Sequence, residues 1–246
     1  MGAPACAPAA LRFPTGATTP LPEFHDVHSE VTRHCRGVRT FTAELALAGR
    51  SSGERLRGRV VAGFAEPDAM RLEGVAPFGA PVFVLVSRAG ASTLLLPRES
   101  SVLTGEAPDA VLAALTGIAL GPRDLRALLT GCVTDAPVAG GASFAGGWAS
   151  LRFTDDTTMF LRRNRGRWVV RGGSRAGWQV EFPARAGTFP SEMRLRSADT
   201  DLLVQVRQVE ANVTLEPDAF TVVVPRGTRP VTLDDIRRAG TLKETP

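Results

Sequence analysis

Residues 71–86 read RLEGVAPFGAPVFVLV. Two apolar segments, 70–76 and 81–86, flank the tetrapeptide Pro77-Phe78-Gly79-Ala80. Proline presets φ for a turn and glycine accepts positive φ, so the stretch predicts two antiparallel strands joined by a hairpin tip. That tip carries Phe78, where turn chemistry normally places a polar residue. Burying a phenylalanine is worth roughly 1.5–3 kcal/mol, which an exposed tip forgoes. Either a neighbouring element covers Phe78, or the tip enters an apolar medium.

Outward from this hairpin, the chain alternates apolar and polar residues between closely spaced turn signals. Upstream, residues 38–48 place Phe41, Ala43, Leu45 and Leu47 on one face, and 56–64 follow after the turn at 49–53. Downstream come 91–97 and 101–104. Turn signals every eight to twelve residues predict an antiparallel sheet. Residues 23–36, EFHDVHSEVTRHCR, repeat Phe24, Val27, Val31 and Cys35 at helical spacing, and Gly37 closes that helix. Two short amphipathic helices are expected at 109–116 and 123–130, each followed by glycine and each needing a surface to lie on. A Gly-rich loop at 139–147 is expected to separate the halves; it lacks GxGxxG and GK[ST], which argues against phosphate binding there. Strands resume at 148–153, 158–163, 167–171, 178–182, 192–196, 202–211 and 220–224, with a helical turn at 233–238. The domain expectation is a flexible Pro/Ala/Thr-rich tether at 1–22, one folded domain at 23–224 and a C-terminal extension at 225–246.

The 246 residues carry a net charge of +4, and Lys243 is the only lysine beside abundant arginine. The basic residues are scattered, without a run of five, which argues against nucleic acid as a partner. No run of eighteen apolar residues exists to form a membrane-spanning helix. Ala3-Pro4-Ala5-Cys6 looks like the end of a bacterial lipoprotein cleavage site whose hydrophobic region is missing, with Cys6 as the lipidated residue; the alternative is an ordinary N-terminus with an incidental cysteine. If Cys6 is lipidated, Cys35 and Cys132 remain to pair. They end two predicted helices, so docking both helix ends at one place makes a bridge sensible; the alternative is two buried free thiols. The histidines His25, His28 and His34 share one helix without a completing ligand set, so no metal site is expected. G-x-S-x-G is absent, and the pairs Asp155-Asp156 and Asp234-Asp235 diverge in strand or loop, so no catalytic site and no cofactor are expected.

Three local motifs carry a resemblance. They are the Pro77-Phe78-Gly79 hairpin after RLEGVA, the segment LTGIALGPRDLRALLTG at 115–131, and FPSEMRL at 189–195 with the preceding strand that opens Trp178-Gln179-Val180. Together they resemble LolB, the outer-membrane lipoprotein receptor, and its relative LolA, the periplasmic lipoprotein carrier, over roughly residues 24–224. The resemblance implies a mainly β fold with α: an incomplete, strongly curved antiparallel β-barrel of about eleven strands, lidded by helices over a hydrophobic cavity. It implies acylated lipoproteins or lipid as partners, a LolA-like donor, a membrane surface, and an envelope location at the outer membrane facing the periplasm. A monomer is expected. In that family a Pro-Leu-Gly loop serves membrane insertion, and here Phe78 stands at the Leu position; the family's lipid anchor corresponds to Cys6. Val60, Leu72, Val82, Val84, Leu94 and Leu96 are candidate cavity residues, although strand alternation permits the opposite faces. Arg57 and Arg59 are expected in solvent, with gating of a cavity mouth as the alternative. A soluble carrier, or an envelope module with a filled core, are the rival readings.

Overall fold

The computed structural model describes residues 12–51, 53–75, 81–175 and 177–239. The chain opens with β1 (Thr19–Pro20) and α1 (Phe24–Arg36). A first meander follows: β2 (Thr40–Ser51), β3 (Glu54–Ala65), β4 (Ala69–Val75), β5 (Val84–Arg88), β6 (Ala91–Leu96) and β7 (Ser101–Glu106). The helix pair α2 (Pro108–Thr116) and α3 (Pro122–Thr130) comes next. A second meander contains β8 (Val138–Phe144), β9 (Trp148–Phe153), β10 (Thr158–Asn164), β11 (Arg167–Arg175), β12 (Trp178–Ala186), β13 (Phe189–Ser197) and β14 (Thr200–Ala211). The described chain ends with β15 (Arg229–Pro230) and α4 (Leu233–Ala239).

The strands form one open sheet in the order β1-β8-β9-β10-β11-β12-β13-β14-β2-β3-β4-β5-β6-β7-β15. The meanders join where β14 pairs with β2, from Thr200 opposite Ser51 to Ala211 opposite Phe41. All pairings among the described strands are antiparallel except β15 with β7. The sheet curls without closing, and its concave face holds the main core. Strand alternation sets that face: on β2, Phe41, Ala43 and Leu45 point inward while Thr42 and Glu44 point away from the buried side.

Fifteen strands stand where the resemblance implied about eleven and the segments read from the sequence number thirteen. Two of the additions, β1 and β15, are two-residue edge strands too short to leave a pattern. The third is β8, which occupies most of the segment expected as a Gly-rich loop. Glycine weakens strand signals, yet this strand needs it: a Cβ on Gly141 would come within 2.6 Å of Phe24 Cβ on α1. In the other direction, 220–224 is not a strand. The turn Pro217–Phe220 leads into extended chain across the outer faces of β4 and β5, where Arg71 Nη1 donates to Ala219 O (3.0 Å) and Thr221 O (2.8 Å). Within the stretch expected as a tether, Leu21 is buried, Thr19 pairs with Ser143, and Phe13 stacks on Phe160 at 4.3 Å between ring centres.

An apolar cavity under the helix pair

The concave sheet and the helix pair enclose a cavity of about 110 Å³. Its floor comes from alternate residues of the six strands around the meander junction: Val180 on β12, Met193 and Leu195 on β13, Leu202 and Val204 on β14, Leu45 and Leu47 on β2, Leu56, Val60 and Phe64 on β3, and Leu72 on β4. Phe83, just before β5, completes it. The roof is Leu112 and Leu115 of α2, Ile118 and Leu120 of the linker, and Leu125, Leu128 and Leu129 of α3. Among the described residues no charged side chain lines the space. The one hydroxyl there, on Thr116, donates back to Leu112 O at 2.8 Å. An engineered apolar cavity of roughly 150 Å³ in another protein stays dry and takes up benzene. The present space is of that order and equally apolar.

The roof is fastened at defined points. At the end of α2 the Thr116 carbonyl accepts from Ser51 Oγ (2.8 Å) and Thr200 Oγ1 (3.2 Å), which ties the helix to the β2–β14 junction. Gly117 then takes φ +78°, the left-handed cap that lets the linker turn back over the cavity. At the start of α3, Asp124 Oδ2 accepts from the Gly121 N–H (3.0 Å), and Arg175 Nη1 bridges Asp124 Oδ1 (3.1 Å) and Asp155 Oδ2 (3.3 Å). Burial pushes the Asp155 carboxyl up. Hydrogen bonds from Thr134 Oγ1 and the Thr157 N–H, with the Arg175 charge, outweigh that and hold it below the usual carboxylate range. Beyond the other end of α3, Cys132 is disulfide-bonded to Cys35 of α1, with Cα atoms 6.2 Å apart.

The candidate residues from the sequence divide. Val60 and Leu72 lie on the cavity wall. Leu94 and Leu96 are buried in the same core but do not reach the cavity, and Val82 packs half-buried against that core. Val84 is a correction: it faces the opposite side of the sheet, in a small cluster with Val86, Leu95 and Val102, under Val222. The reason is local. Gly74 accepts from the Val82 N–H (2.9 Å) and donates to Phe83 O (3.0 Å), so Phe83 and then Leu85 take the inward positions of the strand. The roof leucines and Met193 were missed, because their helical and strand periodicity marks burial without saying what they surround. Arg57 and Arg59 are exposed. Pro77, Phe78, Gly79 and Cys6 lie outside the described residues.

The remaining titratable groups have structural surroundings. His34 Nε2 lies 2.9 Å from Thr130 O, and burial lowers its pKa against that bond. His28 packs edge-on against Phe153, and its pKa is lowered by burial first and by Arg36 second. The ligand atoms of His34, Cys35 and Cys132 lie within 4.8 Å of one another, but both sulfurs are committed to the disulfide. Asp235 accepts from the Thr232 N–H (2.9 Å) at the start of α4, and Asp234 and Asp235 pair with Arg237 and Arg238.

A curled, helix-roofed half-barrel with an apolar interior is the class this geometry defines. Among solved structures, a DUF1329 family protein from Desulfovibrio piger aligns over 82% of this chain and 98% of its own, with a TM-score of 0.56 and 13% identity. A LolA superfamily protein from Nitrosomonas europaea aligns over 80% of this chain and 97% of its own, with a TM-score of 0.53 and 7% identity. At these identities the likeness is one of fold: the chain has a LolA/LolB-like fold. No protein-family model matches the sequence, and no curated protein sequence matches it.

Proposed function

We propose that this protein binds the acyl chains of lipoproteins or lipids in the cavity under α2 and α3, and that it acts in the cell envelope by binding rather than catalysis. The observation that carries the reading is the cavity: apolar on every wall among the described residues, inside a fold shared with a LolA superfamily protein. Each methylene moved from water into such a space gains about 0.8 kcal/mol, so a few turns of hydrocarbon give useful affinity without polar clamps. The lack of charged groups on the wall also favours release, since no ion pair has to break. In its specific form the proposal is a LolB-like receptor, anchored through Cys6 and inserting Phe78 into the outer membrane while it accepts cargo from a LolA-like donor. A soluble LolA-like carrier shares the cavity but not the anchor.

The test uses the full chain with a fluorescent fatty-acyl probe. Val60→Phe places a larger ring on the cavity floor and is expected to reduce probe binding by tenfold or more, at an overpacking cost of about 1–3 kcal/mol. Phe78→Glu is expected to leave probe binding intact and to abolish delivery of an acylated protein to vesicles. Probe affinity unchanged by Val60→Phe in a folded variant sinks the cavity reading, and unchanged delivery by Phe78→Glu sinks the receptor form.

A further inference from the structure

A second pocket, of about 540 Å³, opens between α1 and the strands β11 and β12. Its wall carries Arg33 and His34 from α1, Arg167 and Trp168 from β11, and Arg185 from β12. Arg185 is largely withdrawn from solvent. Its Nη1 donates to Thr188 O (2.7 Å), its Nη2 to Val170 O (3.3 Å), and its guanidinium lies 5.6 Å from the Phe182 ring centre. Its Nε is buried without a partner. Arg171 adds another positive charge that acts on Arg185. None of Arg33, Arg167, Arg171 or Arg185 forms an ion pair among the described residues, and Glu30 is the one carboxylate on the pocket wall.

A buried cation without an acidic partner is costly, and neighbouring cations raise the cost. An anion in the pocket removes that cost. Guanidinium groups offer forked pairs of N–H donors that match the oxygens of a tetrahedral oxyanion. Three arginines around one space outweigh the single charge of Glu30 and suit a group with more negative charge than a carboxylate. His34 is held towards its neutral form by burial, so the positive charge here comes from arginine and persists at neutral pH.

We propose that this pocket binds a phosphate group, as a free phosphate compound or as a phospholipid headgroup, held by Arg185, Arg33 and Arg167. The site does not depend on the acyl cavity. Trp168 on its wall gives a direct readout. In the ¹⁵N-labelled full-length protein, titration with inorganic phosphate at constant ionic strength is expected to shift the Trp168 indole N–H saturably while Trp148 and Trp178 stay in place. A parallel titration with short-chain phosphatidylglycerol below its micelle concentration distinguishes the sources: saturation by phosphate assigns a free phosphate compound, and saturation by the lipid alone assigns a headgroup. Arg33→Gln with Arg167→Gln, both at exposed positions, is expected to weaken binding by roughly tenfold or more while the fold is retained. Equal shifts from sodium chloride, or affinity unchanged in the double variant, overturn the proposal. Val60→Phe is expected to leave the Trp168 response intact, so failure of the acyl reading and failure of this one are told apart.

Discussion

Single residues decide how the cavity is shaped. Gly74 is one of them. A Cβ there would stand 2.6 Å from the Phe83 ring, so the glycine makes the room that lets Phe83 turn inward and close the floor. Asp155 is another, because it holds Arg175 against the start of α3. Its carboxyl is easier to ionise in the folded state than in the unfolded chain. Its stabilisation is therefore full above the ordinary carboxylate pKa of about 4 and is lost as the pH falls through the depressed folded value. Urea unfolding of the native protein and Asp155→Asn is expected to show a deficit in the variant at pH 7 that shrinks towards pH 3. A deficit independent of pH would mean that the carboxylate charge contributes nothing. Sequence reading saw Asp155 only as half of an adjacent pair, because Arg175, which links it to Asp124, stands 20 positions away along the chain.

At the scale of elements, the roof is a pair of nine-residue helices, too short to be stable alone in water. Their order comes from what holds their ends. The Cys35–Cys132 bridge spans 97 positions, and a loop of that length corresponds to about 4–5 kcal/mol in the chain-entropy model. Replacing both cysteines by alanine is expected to lower the unfolding free energy by up to that amount. It is also expected to raise amide hydrogen exchange in α3 more than in β2. Equal protection of α3 with and without the bridge would rule out its role as an anchor of the roof. Counting cysteines and helix ends offered this pairing beside two buried free thiols, and the structure joins the two sulfurs. The hydrogen bonds from Ser51 and Thr200 to the end of α2 left no trace in the sequence, since any surface serine or threonine looks the same there.

Across the whole molecule, an open sheet leaves two edges, and the chain's own ends cover both. β1 lies on β8, and β15 runs parallel to β7, with the Arg229 N–H donating to Ser100 O (2.8 Å) and the Val231 N–H to Val102 O (2.9 Å). Such caps block edge-to-edge association. Beyond β15, α4 packs on the outer side of α2 and buries Ile236, which is 1% exposed. The segment expected as an extension thus clasps the roof. Ile236→Asp buries an unpaired charge and is expected to cost about 2–5 kcal/mol and to speed proteolysis within 225–239 while the sheet signal in circular dichroism survives. Unchanged cleavage would mean that α4 is not held by this contact.

The sequence by itself determined the antiparallel meanders and the three main helices, because strand alternation, helical spacing and turn residues are local signals; the curled, helix-roofed architecture came from its resemblance to LolB and LolA, and the cysteine pairing stood as one of two alternatives. The tertiary structure alone decided that the apolar space lies where the two meanders meet, under α2 and α3. It also decided that Val84 faces away from that space, and that three arginines from α1, β11 and β12 gather around one pocket with Glu30 as the single carboxylate on its wall. Which face of a strand becomes the inside depends on pairing register, here Leu72 opposite Leu85 and Glu73 opposite Val84. A pocket depends on surfaces brought together by the curl of the whole sheet, and neither is written in any one stretch of chain.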